Sequence, residues 1–126
     1  MTAQDHPPTS GDRALRDELL RDMSGGEEIS LSHIDSIVAY DHSAEPLPWR
    51  QWRVFGTIES LLVDGLIVIG DTPYADMPVE SWQLSTEDAL ARLRERYVTH
   101  YLDEVKWGWC TWFELTPDGE EAAKNL

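Results

Sequence analysis

The chain has 126 residues, of which 24 are acidic and 10 basic, for a formal charge of −14. That length suits one domain with its own core and is short for two ordinary ones, and the charge repels a phosphate backbone, weighing against non-specific nucleic-acid binding. A single cysteine, Cys110, excludes an internal disulfide, and no stretch approaches the roughly 20 apolar residues of a membrane-spanning helix.

Residues Met1 to Gly11, with Pro7-Pro8 and small polar residues, are expected to be a disordered tail, leaving residues 12–126 as one domain. The start also lacks a basic-then-apolar leader pattern, so a cytoplasmic location without a membrane partner is expected. From Asp12, the spacing of Leu15, Leu19, Leu20 and Met23 predicts a helix that Ser24-Gly25-Gly26 stops. Ile29 and Leu31 suggest a short strand. Ser32-His33-Ile34-Asp35 reads as a variant capping box opening a second helix through Ile37 and Val38.

Pro48 suits the first turn of a third helix and Gly65 the left-handed position just past its end. Val54, Phe55, Ile58, Leu61 and Leu62 form one apolar stripe between them, predicted to pack on the first two helices. Leu66 to Ile69 predicts a strand, Thr72 to Pro78 a turn-rich segment, and Val79 to Leu84 a further short strand around Trp82. Ser85 caps a fourth helix carrying Ala89, Leu90, Leu93, Tyr97, His100 and Tyr101 to about Glu104. Alternation from Trp107 to Leu115 predicts a strand covered on both faces, with Cys110 a small buried apolar group or, if exposed beside Lys106, a redox-sensitive thiol. Thr116 and Pro117 then cap a terminal helix.

Two segments carry a family resemblance: Leu61-Leu62-Val63-Asp64-Gly65-Leu66-Ile67 and Phe113-Glu114-Leu115-Thr116-Pro117-Asp118-Gly119-Glu120-Glu121-Ala122-Ala123. They resemble the recognition-helix exit and wing of winged-helix domains in the MarR-like and PadR-like branches. There a helix ends at Gly and enters a strand, and a second strand finishes in Leu-Thr-x-x-Gly. The resemblance implies an α+β fold with a winged-helix-like three-helix core and a small antiparallel sheet. The wing is usually a tight hairpin, so it also implies a long helix inserted between the wing strands.

The opposite face of the third helix tests the functional side of that resemblance. At about 100° per residue, Trp49, Trp52, Arg53, Gly56, Ser60 and Val63 fall together, with Arg50 nearby. A DNA reader would place Arg, Lys, Asn or Gln there. Two indoles with small residues fit a protein interface, since Trp and Arg are enriched at binding hot spots. Burial under the inserted helix is the third reading.

Arg92, Arg94 and Arg96 form the densest cationic cluster, expected to pair locally with Glu87, Asp88, Glu95 and Asp103, or to meet phosphate or an acidic partner. Trp49, Arg50, Trp52, Arg53, Arg92 and Arg96 are therefore the candidate interface residues.

Catalytic constellations are missing from the pattern: the four histidines are scattered, and Ser32, His33 and Asp35 are too close along one helix start to act in series. His100 with Asp103 and Glu104 is at most half a metal site. The reading is a small acidic non-enzymatic protein without cofactor or metal, binding an unknown protein partner or a second copy of itself, in the manner of an immunity protein, an antitoxin or a regulatory subunit. The alternative is a dimeric winged-helix transcription regulator whose arginines gather into one strip on DNA.

Overall fold

A computed structural model describes residues 10–71 and 78–126, so the expected tail up to position 9 and most of the turn-rich segment after Asp71 lie outside the described residues. The fold is α+β. Helix α1 spans Ser10–Met23, beginning two residues ahead of the predicted Asp12, and therefore takes Ser10 and Gly11 out of the expected tail. Gly25 and Gly26 end it at φ of 79° and 84°, a region that glycine enters without steric cost. Their amides donate to the two carboxylate oxygens of Glu120 at 3.1 and 3.0 Å, tying this turn to the far end of the chain.

Strand β1 is Ile29–Ser30, and α2 follows at once as Leu31–Asp41. Its cap is Ser30, two residues before the expected Ser32: the Ser30 hydroxyl accepts from the His33 amide at 3.2 Å. Ser32 is already inside the helix and buried, because its hydroxyl is used elsewhere, donating to Glu104 at 2.7 Å.

Helix α3, Leu47–Val63, has Pro48 in its first turn and closes on Gly65 at φ 72°. The Gly65 amide donates to the Leu62 carbonyl and the Leu66 amide to the Leu61 carbonyl, both at 3.0 Å, a Schellman closure that satisfies the last carbonyls. Strand β2, Ile67–Asp71, continues directly from it.

The segment after β2 contains β3, Glu80–Ser81, and α4, Thr86–Arg94, capped by Ser85 as predicted. The predicted strand around Trp82 is thus reduced to two residues. The inserted helix changes character instead of running straight to Glu104: Glu95–Thr99 is a π-helical turn, and a separate short helix, α5, covers Glu104–Trp107.

The predicted strand from Trp107 is confined to β4, Trp112–Leu115. Trp107 is buried by donating its indole N–H to the Tyr101 carbonyl at 2.8 Å, and Gly108 sits so close to Ser32 and Glu104 that a Cβ there would meet them at 3.2 and 2.7 Å. Alternation alone does not distinguish this tight helical corner from extended chain. Trp109 is 59% exposed, so the aromatic run is not covered on both sides. Helix α6, Pro117–Lys124, ends the fold.

The sheet order is β1-β4-β2-β3, antiparallel throughout, with Ile67 opposite Leu115 and Ile69 opposite Phe113. Those four side chains face the core with Leu19 and Met23 of α1, Ile34 of α2 and Ile58 and Leu61 of α3. The two quoted segments meet physically. Thr116 donates its hydroxyl to the Gly65 carbonyl at 2.7 Å, accepts from the Gly119 amide at 3.0 Å, and donates its amide to the Leu66 carbonyl. Gly119 lies against the Leu66 carbonyl so closely that any Cβ would collide with it. Among the described residues no helix is long and apolar enough to cross a membrane.

Candidate functional site

Helix α3 carries only two cations, Arg50 and Arg53, of which Arg53 is buried and Arg50 half-buried. Arg53, expected on the outer side, is 5% exposed and holds Glu45 through two parallel hydrogen bonds, Nε to Oε1 and Nη2 to Oε2, each 2.7 Å. Such a fork fixes both position and orientation. Hydrogen bonding from Arg53 holds the Glu45 carboxyl below the usual carboxylate range, against the opposing effect of burial. Arg53 lies at the border of the apolar stripe in projection, and the loop ahead of α3 returns over that border. A helical wheel does not contain this loop.

Arg50 is half-buried, its Nε enclosed without a hydrogen-bond partner among the described residues. Its charge acts on Glu45 and on a polar cluster absent from the sequence reading: Asp35 accepts from the Tyr97 hydroxyl at 2.6 Å and from the Tyr101 hydroxyl at 3.1 Å. Burial and then the Asp35 charge raise both phenols, Tyr101 to about 12. Tyr101 stacks on Trp107 at 5.1 Å, and Tyr97 meets both rings edge-on. This cluster fastens the inserted segment to α2. The signal for it was Asp35 together with two tyrosines four residues apart, but nothing in the sequence pairs positions so distant.

The arginines of the inserted helix are also engaged within the chain, though with aromatic rings rather than the expected helix acids. The Arg92 and Arg96 guanidinium carbons lie 4.9 and 4.8 Å from the Trp82 ring centre, and that of Arg94 lies 4.5 Å from Phe55. Arg96 additionally donates to the Cys110 carbonyl at 3.3 Å and sits 3.7 Å from Asp71, which accepts the Trp82 indole N–H at 2.8 Å. Cys110 is half-buried and donates its thiol to the Lys106 carbonyl.

The six candidate residues are therefore not brought to one face. Trp49, Arg50 and Trp52 are half-buried, Arg53 is buried, and Arg92 and Arg96 gather at Trp82. Of the predicted outer side, Ser60 is tied to α1 by accepting from Arg16 at 2.6 Å, while Val63 is 66% exposed. The exposed acid Glu59 adjoins that side.

A groove runs along the seam of α3 and the inserted segment. Its wider part, about 560 Å³, is lined by Leu47, Gln51, Val98, Tyr101, Leu102 and Asp103, and a narrower part of about 160 Å³ by Pro48, Trp52, Phe55 and Arg94. The inserted segment thus flanks Trp52 and leaves an open channel beside it.

Ser32, His33 and Asp35 diverge as expected from their spacing: Ser32 bonds Glu104, His33 Nε2 lies 3.1 Å from Asp22, and Asp35 serves the tyrosines. His100 pairs with Glu95 at 2.8 Å, not with Asp103 or Glu104, because the π-helical turn brings residues five apart together. Set beside known proteins, the chain matches no family model, no curated protein and no solved structure.

Proposed function

We propose that this chain is a non-enzymatic protein-binding module built on a winged-helix-like frame, acting as an inhibitor, antitoxin-like partner or regulatory subunit. The observation that carries this reading is the orientation of α3. Arg53 is buried on Glu45 and Arg50 is half-buried with its Nε enclosed, while the outer side of the helix offers Trp49, Trp52, Gly56 and Val63 beside the acid Glu59. A helix that reads a duplex needs cations on phosphates and polar side chains on base edges. Indoles beside small residues fit close approach of another protein.

The order helix, strand, helix, helix, strand, insertion, strand supports the frame, as do the bonds that join Gly65 and Leu66 to Thr116. The frame alone does not decide the ligand, because one fold serves many functions.

Affinity capture with the wild type, Gly56→Glu and Val63→Glu tests the proposal. A protein retained by the wild type and lost by both variants, each with an unchanged circular dichroism spectrum, is the expected result. Retention of the same proteins by all three contradicts it. Sequence-selective capture of duplex DNA instead transfers the chain to the regulator reading.

A further inference from the structure

Resting on the protein-binding reading, we propose that the groove between α3 and the inserted segment receives a short cationic amphipathic helix of the partner. Its walls are apolar along most of their length: Leu47, Pro48 and Phe55 on one side, Val98 and Leu102 on the other, with Trp52 toward the narrow end. Leu102 is 99% exposed and Val98 39%, an arrangement that leaves apolar surface in water unless something covers it. From Leu47 to Phe55 the channel follows α3 for about 12 Å at the helical rise, the length of two turns. A helix laid there presents apolar side chains at positions i, i+3, i+4 and i+7.

Charge selects the sign of the occupant. Asp103 lines the groove, and Glu59 is exposed one turn after Phe55. Arg94, over the Phe55 ring, keeps its charge at the narrow end, while His100 and Glu95 offset each other, so the wider part presents Asp103 to an occupant. The whole chain carries −14, so an anionic segment is repelled at long range and a lysine- or arginine-rich one is drawn in.

The test uses two synthetic helical peptides with identical leucine spacing, one with lysine and one with glutamate at the polar positions. Their binding to the full chain is followed by fluorescence anisotropy at low and physiological salt. The lysine peptide should bind at least tenfold more tightly than the glutamate peptide, with the difference shrinking as salt rises. The double variant Val98→Ser/Leu102→Ser should lose about tenfold or more, whereas Tyr40→Ser, at an exposed position of α2 outside the groove lining, should bind as the wild type. Both positions of the double variant are solvent-facing, so its circular dichroism and Tm should match the wild type.

Equal binding of the two peptides, or undiminished binding by the double variant, overturns the groove while leaving the outer side of α3 to its own capture experiment. Sedimentation showing a dimer that the double variant dissolves also overturns it, assigning the groove to a second copy of this chain.

Discussion

Glu45 and Arg53 form the tightest charged contact described on α3, and it lies at the margin of the core. Removing one member of such a pair leaves the other charge enclosed without its counterion, so Glu45→Ala should lower stability by about 3 kcal/mol in urea unfolding. The folded-state carboxyl titrates below its unfolded value. Its contribution is therefore complete above the ordinary carboxylate range and is lost as pH falls through the depressed value. Unfolding midpoints measured downward from pH 6 should fall more steeply in acid for the wild type than for Glu45→Gln. A parallel pair of curves contradicts this.

Tyr97 poses a second test at this scale. Tyr97→Phe removes the 2.6 Å bond to Asp35 and should cost about 1.5–3 kcal/mol, the range for hydrogen bonds to a charged group. A variant as stable as the wild type would mean that Tyr101 alone suffices to hold the carboxylate.

Among the elements, the junction of α3, β2, β4 and α6 concentrates backbone requirements. Gly65 holds a positive φ, so Gly65→Ala should destabilise by about 1–2 kcal/mol through the left-handed penalty alone. Thr116→Val keeps the shape but forfeits the cap on Gly119 and the bond to the Gly65 carbonyl, with an expected loss of about 1–2 kcal/mol in thermal or urea unfolding.

These positions were legible in the sequence because their chemistry is local: a glycine after an apolar stripe, and a threonine and proline before a small helix. Ser85 was legible for the same reason. The cap of α2 was displaced by two residues because Ser30 and Ser32 carry the same hydroxyl, and only the distant Glu104 decides which one is free to cap. The run from Trp107 to Leu115 was misread because a helical corner held by Gly108 and a strand share the same alternation. The inward turn of Arg53, the rings beneath Arg92, Arg94 and Arg96, and the groove itself all depend on which elements meet. Periodicity along one element carries no trace of that.

For the whole molecule, an acidic surface and an outward side of α3 without cations act together. Acidity sets the long-range field, and the burial of Arg53 on Glu45 with the partial burial of Arg50 weakens the short-range contacts that would work against it on that helix. The arginines at Trp82 and Phe55 remain the densest positive cluster, but they lie on the inserted segment and are shared with aromatic rings. The central claim is that this chain binds protein and not duplex through α3.

Duplex affinity as a function of salt examines that claim most directly, because each phosphate neutralised adds about one unit to the slope of log affinity against log salt concentration. With a random duplex pool and then with any enriched sequence, the account predicts weak binding, no sequence preference and a slope shallower than about two. Sequence-selective binding with a slope of five or more, reduced by Arg50→Ala or Arg53→Ala, would contradict it.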